Sequence, residues 1–145
     1  MELTMQNPAS SNASALGAPG RPARWTGRAL STLVVLFLLF SASFKFLPVS
    51  DEIVETFDHL GLPLSLRSTI GILEVACVLL YALPRTAFLG GVLLTGYLGG
   101  AILTHLRVGD PLLSHTLFPA FLAAFAWAGL ALRDRRIRTL FLGGV

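Results

Sequence analysis

The chain contains a single cysteine, Cys77, among its 145 residues. One cysteine excludes an intramolecular disulfide, and it excludes redox chemistry that needs a pair of thiols in the same chain. The sequence also lacks a glycine-rich nucleotide loop of the required spacing, the HExxH motif of zinc enzymes and the nucleophile motif of α/β-hydrolases. Any chemistry must therefore come from single polar residues set among apolar ones.

Charged residues are also scarce. They make up 13% of the sequence, whereas 54% of the residues are hydrophobic and the mean hydropathy is +0.72. This balance is typical of membrane proteins rather than soluble domains. Four apolar runs, at about 29–47, 66–83, 86–106 and 112–132, are long enough to cross a hydrocarbon core of ~30 Å as helices. The sequence therefore predicts an all-α integral membrane protein, a bundle of four transmembrane helices.

The few basic residues are distributed unevenly between the predicted loops. Eight of the eleven Lys and Arg residues fall on one side of the membrane: Arg21, Arg24, Arg28, Arg85, Arg133, Arg135, Arg136 and Arg138. Lys45, Arg67 and Arg107 fall on the other side. The positive-inside rule then predicts that both termini are cytoplasmic. The net charge of +3 thus reflects membrane topology and does not indicate a nucleic-acid partner.

The composition also divides the chain into segments. Residues 1–27 are predicted to be a disordered cytoplasmic tail, 28–135 the transmembrane domain and 136–145 a short basic cytoplasmic tail. An alternative is a cleaved signal peptide that ends near Ser41-Ala42-Ser43, but the apolar run continues past that point to Leu47.

The first outer loop has a helical pattern of its own. Ile53, Val54, Phe57 and Leu60 form an apolar stripe opposite acidic residues, with Ser50 placed to cap the start and Gly61 placed to end the segment. We expect a short interfacial helix here. His59 lies on this helix, where a solvated histidine is the simplest expectation.

Six polar residues fall in the outer half of the predicted bundle and form a candidate ligand-binding cluster: Lys45, Glu74, Tyr97, His105, Arg107 and His115. Glu74 is the most informative, because an unpaired carboxylate roughly 13 Å inside a span would cost several kcal/mol. It shares a helical face with Gly71, Val78 and Tyr81, and we expect that face to point inward. The cluster predicts a funnel open to the outer side with Glu74 and Tyr97 at its floor.

Other interpretations of these residues remain open. Lys45 and Glu74 could form a purely structural ion pair, and Lys45 or Arg107 could simply extend to the interface. His105, His115 and Glu74 could ligate a metal, but nothing in the sequence fixes their distances, so we expect no metal site. Gly96 and Gly100 form a GxxxG pair, which predicts close helix packing. Pro119 predicts a kink in the fourth span.

Residues 71–141 resemble the DoxX-like family of small four-span bacterial membrane proteins, and the similarity extends upstream through FSASFKFLP at 40–48. The most specific segments are LTGYLGGA followed by THLRVGDP, the Phe-Pro of the fourth span and the closing LRDRR. The resemblance implies a four-helix bundle in the bacterial inner membrane. It also places Lys45, Glu74, Tyr97, His105 and Arg107 at the family's recurring polar positions. The founding relatives are linked to quinone-reducing oxidation of sulfur compounds, and others to membrane complexes against oxidative stress.

These observations lead to one functional expectation and two alternatives. We expect a membrane subunit of a redox or stress-related system, with an outer-facing pocket for a small ligand such as a quinone and no cofactor of its own. If it is part of an enzyme, it would be an accessory subunit of a quinone-linked oxidoreductase. The alternatives are a small-solute carrier or exporter component and a non-catalytic membrane scaffold or assembly factor. The expected partners are the lipid bilayer and either a redox subunit or further copies of the chain.

Overall fold

A computed structural model of the chain describes residues 20–142. The helices are α1 (Arg21–Phe44), α2 (Asp51–His59), α3 (Arg67–Ala82), α4 (Ala87–Val108), α5 (Phe118–Arg133) and α6 (Arg135–Leu142). A short 3-10 turn, Leu64–Leu66, precedes α3, and a wide π-type turn, Leu112–Thr116, precedes α5. The four spanning helices and the short helix in the first outer loop are as predicted.

The spanning helices form a closed four-helix bundle. Four helical segments are long and apolar enough to cross a membrane: Arg21–Phe44, Leu64–Ala82, Ala87–Val108 and Leu112–Arg133. In the bundle α1 packs against α5 and α3, and α4 packs against the same two helices from the other side. Each spanning helix therefore has two neighbours within the chain, and each keeps an outward face.

Side-chain burial follows this arrangement. The core contains small and medium apolar side chains such as Val34, Val78, Leu94 and Leu130, all of them almost fully buried. Large apolar side chains on the outward faces, such as Leu36, Ile72 and Phe121, are more than half exposed. In water this exposure would be unfavourable, whereas against lipid it is the expected state of a spanning helix.

The two ends of the bundle differ in composition. Arg28 at the start of α1, Pro84 between α3 and α4, and Arg133 at the end of α5 line one common cavity, so they share one end, here termed the inner end. The opposite end, termed the outer end, holds α2 and the connections 45–50 and 109–117. This is the clustering of arginine on which the positive-inside prediction depends.

Local sequence explains how the outer connections turn. Gly61 and Gly109 have φ values of 59° and 75°, the left-handed conformation that side chains disfavour and that ends helices α2 and α4. Pro119 lies in the first turn of α5, and the fourth span is interrupted just before it, between Thr116 and Phe118. The expected kink is therefore present, in the form of a π-type turn followed by a new helix start.

The prediction for Gly96 and Gly100 is wrong within this chain. A methyl group placed on either glycine would meet no atom within 4 Å, so the pair lies on an open face of α4. Close packing occurs at other glycines. A methyl group on Gly27 would lie 2.8 Å from the Gly129 carbonyl oxygen, and one on Gly90 would overlap the backbone of Tyr81. The α1–α5 and α3–α4 crossings fix these positions, which the GxxxG spacing alone does not reveal.

The predicted tails also need correction where the structure describes them. Helix α1 begins at Arg21, so the segment 21–27 is helical rather than a disordered tail; residues 1–19 of that predicted tail lie outside the described range. At the other end, α6 occupies most of the predicted basic tail, and Ile137 is buried against the bundle. Residues 143–145 are likewise not described.

Candidate ligand-binding site at the outer end

An ion pair joins two spanning helices at the outer end. The Lys45 ammonium, at the end of α1, donates a hydrogen bond to the Glu74 carboxylate of α3 with an Nζ–Oε2 distance of 2.8 Å. The Glu74 side chain is 1% exposed and that of Lys45 is 19% exposed. Lys45 also donates to the backbone carbonyl and the hydroxyl of Ser41, at 3.4 and 3.3 Å. The carboxylate that the sequence places inside a span is therefore paired with a cation.

A close helix approach makes this pair possible. A methyl group on Gly71 would lie 3.0 Å from the Lys45 Cβ and 2.9 Å from the ring of Phe46. Because Gly71 is one turn before Glu74 on the same face, its missing side chain brings the end of α1 next to the carboxylate. Arg67 adds a second link, since its Nη1 donates to the Leu47 carbonyl at 2.8 Å. The inward face predicted from Gly71, Glu74, Val78 and Tyr81 is confirmed, since all four are buried.

A cavity of about 470 Å³ lies next to this pair. Its walls come from α1, α2, α3 and α4, and most of its lining is apolar. The lining residues are Ser41, Phe44, Lys45, Glu52, Ile53, Thr56, Phe57, Leu60, Leu62, Arg67, Ile70, Tyr97, Ala101, Thr104 and His105. Binding sites for small molecules have volumes of ~300–1,000 Å³ and the same mixture of apolar walls with few polar groups.

One face of α4 forms a wall of this cavity. Tyr97, Ala101 and Thr104 all line it. Tyr97 lies about 12 Å further along α4 from the outer end than His105, at 1.5 Å per residue, and it interacts with Glu74. Helix α2 forms another wall through Ile53, Thr56 and Phe57. The outer helix therefore covers the cavity instead of only lying on the membrane surface.

Two histidines and an aspartate hold α2 to α4. The Asp110 carboxylate accepts hydrogen bonds from His105 Nδ1 at 2.6 Å and from His59 Nε2 at 2.7 Å. The left-handed turn at Gly109 returns the chain so that the Asp110 amide bonds to the His105 carbonyl, which places the carboxylate beside the ring. These two hydrogen bonds lower the pKa of the Asp110 carboxyl below its ordinary value.

Arg107 fixes the same helix from a different position. Its guanidinium donates to the Leu60 carbonyl at the end of α2, and a methyl group on Gly61 would lie 3.0 Å from Nη2. A cation at the carboxyl end of a helix interacts favourably with the helix dipole. Arg107 does not line the cavity. The structure thus gives it a part in holding α2 in place rather than a direct contact with the pocket.

His115 lies apart from the cavity. It is on the π-type turn, where its ring centroid is 5.9 Å from that of His105 and its Nδ1 is 2.8 Å from the Ser114 hydroxyl oxygen. A second cavity of about 320 Å³ contains it together with His59, His105 and Asp110. His105 lines both cavities and so lies between them. Among residues 20–142, no three His, Cys, Asp or Glu side chains have the geometry to hold a metal ion.

The six predicted residues are therefore divided by the structure into three groups. Lys45, Tyr97 and His105 line the main cavity, and Glu74 is buried next to Lys45. Arg107 and His115 lie outside it. Sequence reasoning did not identify Asp110 as part of the site, and it left His59 solvated. The available signal was the Gly109-Asp110 turn five residues after His105, which favours contact between the two side chains.

The fold and the site together define a small multi-pass membrane protein with a covered apolar cavity beside a buried ion pair. The chain belongs to the DoxX-like family, since a model of that family matches residues 29–129. The matched segment contains the second and third spans, most of the first and fourth, and every residue of the candidate site. Neither a curated protein nor a solved structure matches the chain.

Proposed function

We propose that this protein is a membrane subunit of a redox or stress-related system of the bacterial inner membrane, and that its outer cavity binds a small amphipathic ligand such as a quinone. The observation that carries the proposal is the cavity of about 470 Å³, in which apolar walls surround Tyr97, His105 and Lys45, the more exposed member of the ion pair with Glu74. A buried charge pair of this kind costs desolvation energy. The cavity directly beside the pair supports a role in ligand binding in addition to helix packing.

The donor set suits a flat ring that carries carbonyl oxygens. Phe44, Ile53 and Ile70 supply apolar surface. The Tyr97 hydroxyl, which interacts with Glu74, would donate to a carbonyl oxygen by turning towards the cavity. Lys45 is already bonded to Glu74 and Ser41, so it would contribute mainly its positive charge. A quinone supplies two-electron, two-proton redox chemistry when bound. The chain's own part would be to bind it, orient it and exclude water.

His105 is placed to hold a proton at the edge of this cavity. Because the Asp110 carboxylate accepts from Nδ1, that nitrogen carries the hydrogen, and Nε2 is the ring's second polar atom. Asp110 thereby fixes the tautomer of the ring. Since the sequence contains no motif for a redox cofactor, the proposal includes a partner subunit that supplies the electrons.

A structural scaffold is the second candidate. It is favoured by one observation, namely that Lys45 makes three hydrogen bonds within the chain. If the protein is a scaffold, the cavity is a packing defect without a function of its own. The two candidates differ in whether the purified protein retains a small molecule.

The test is to purify the protein in a mild detergent, extract it and identify bound molecules by mass spectrometry. Ala101→Phe places a ring inside the cavity, whereas the control Leu103→Phe adds a similar ring on the exposed face of the same helix. We expect a quinone enriched over the membrane background in wild type and in Leu103→Phe, and lost in Ala101→Phe. The absence of quinone enrichment in wild type would reject the quinone, and equal retention by both variants would reject this cavity as its site.

A further inference from the structure

The inner end carries a second, smaller cavity that the proposed function does not use. It has a volume of about 230 Å³ and lies where α1, α4, α5 and α6 come together. Three arginines from three different helices line it: Arg28 of α1, Arg133 at the end of α5 and Arg135 at the start of α6. Asp134 is the one carboxylate among its lining residues, so positive charge is in excess.

The structure holds two of these charged groups in place. Arg133 donates from Nη2 to the Tyr81 carbonyl at 2.9 Å, and its guanidinium lies 5.0 Å from the Tyr81 ring centroid. Asp134 accepts a hydrogen bond from the Arg136 amide at 2.9 Å and so caps α6. Its carboxylate is engaged in the helix start, and the arginines are not neutralised by it within the described residues. A cavity lined by three arginines and one carboxylate has the chemistry of an anion site.

The position of the cavity indicates which anion it meets. Trp25, 66% exposed, lies one turn before Arg28, and its ring is 5.6 Å from the Arg28 guanidinium. Exposed tryptophan marks the level of the lipid headgroups on a spanning helix. The cavity is also lined by Leu130, Ala87 and Pro84, which give it an apolar side. Phosphate groups of anionic lipids are concentrated at this level, next to acyl chains.

We propose that this inner cavity binds the phosphate group of an anionic membrane lipid. Arg28 and Arg135 would contact the phosphate, while Arg133 adds a fixed positive charge and keeps its bond to Tyr81. Bound in this way, the lipid would join α1 to α6, two helices that are not consecutive in the chain. The proposal concerns the opposite end from the quinone site and does not depend on it.

The test measures the thermal stability of the purified full-length chain in mixed micelles that contain phosphatidylglycerol or phosphatidylcholine. Arg28→Gln with Arg135→Gln removes two charges from the cavity. Arg136→Gln with Arg138→Gln removes the same number of charges from α6 residues that do not line it. We expect phosphatidylglycerol to stabilise wild type and the control pair, with its apparent affinity about tenfold or more weaker for the cavity pair.

Each other result overturns the proposal. An equal loss of phosphatidylglycerol affinity in the two double variants would show that the lipid binds a diffuse basic surface. Equal stabilisation by both lipids would show that the cavity does not select anionic headgroups. Saturation by inorganic phosphate at the same concentration would assign the cavity to a free anion instead of a lipid. If the cavity pair fails to fold, Arg135→Gln alone is the substitute, because this side chain is exposed. Unchanged phosphatidylglycerol affinity in that variant would also reject the site.

Discussion

The Lys45 ammonium and the Glu74 carboxylate lie 2.8 Å apart, although 29 residues separate them in the chain and they belong to different spanning helices. Glu74 is almost completely buried, whereas Lys45 borders the outer cavity. The pair therefore both closes the bundle at its outer end and places a charge beside the space where a ligand would bind.

Removing one member of this pair should destabilise the protein strongly. Lys45→Met leaves the Glu74 carboxylate buried without its cation, and Glu74→Gln leaves Lys45 without its anion. Each change should cost about 3–5 kcal/mol, while the double variant should lie close to wild type because no charge is left uncompensated. Reversible unfolding in detergent across the double-mutant cycle measures this coupling. Two harmless single variants, or costs that simply add in the double variant, would show that the pair is not energetically linked.

Substitution of the glycines of α4 by alanine should reduce stability in the opposite order to the one that the GxxxG motif predicts. Gly90→Ala should cost about 1–3 kcal/mol or more, because its methyl group would overlap the backbone of Leu80 and Tyr81. Gly100→Ala is the matched control on the same helix and should be nearly neutral, since its methyl group meets no atom within 4 Å. Thermal unfolding of both variants in detergent provides the comparison. If Gly100→Ala is the more damaging change, its face is packed against another chain.

The hydrogen bonds from His59 and His105 to Asp110 should make the stability of the outer end sensitive to acid. Because the two histidine bonds lower the pKa of Asp110 in the folded state, its carboxylate stabilises the fold above its ordinary pKa of 3.8. That contribution is lost as the pH falls through the lower, folded-state pKa. Asp110→Asn should therefore melt below wild type at pH 6, and the difference should shrink as the pH falls below about 4. Asp58→Asn, on the exposed face of α2, is the control; a difference that stays constant with pH would contradict this account.

The predicted membrane orientation can be tested with introduced cysteines. Glu55→Cys on α2 should react with an impermeant thiol reagent added to intact cells, because the positive-inside rule places the outer end outside. Arg85→Cys, at the opposite end of the bundle, should react only after permeabilisation. The native Cys77 is 3% exposed and should give little background. Labelling in the reverse order would invert the topology.

Hydropathy and charge were sufficient to predict the four spans, the short outer helix and the inward face of Glu74, because each depends on local periodicity and on the cost of placing charge in lipid. The close-packed glycines could not be predicted in the same way. Gly27 and Gly90 matter because particular helices cross there, and crossing points depend on the whole bundle. The motif at Gly96 and Gly100 has the right spacing, but it lies on the open face of α4.

The candidate site shows the same division. Depth in the membrane indicated that Glu74 is not an unpaired carboxylate, and it placed Glu74 and Tyr97 together at the floor of the predicted funnel. The contact between His59 and Asp110 joins residues 51 positions apart through a loop, and no periodic pattern encodes it. Arg107 was placed at the correct end of the bundle, but its bond to the Leu60 carbonyl depends on where α2 ends.

In the proposed function, the Lys45–Glu74 pair serves a ligand cavity and not only the packing of α1 on α3. The most direct test is a binding titration of a short-chain quinone analogue against the Lys45→Met, Glu74→Gln double variant, after its fold and stability have been shown to match wild type. We expect saturable binding to wild type and a loss of about tenfold or more in affinity for the double variant, since charge beside an apolar cavity is what would orient the carbonyl groups. Equal affinity for wild type and the stable double variant would contradict it and leave the pair as a structural link between two helices.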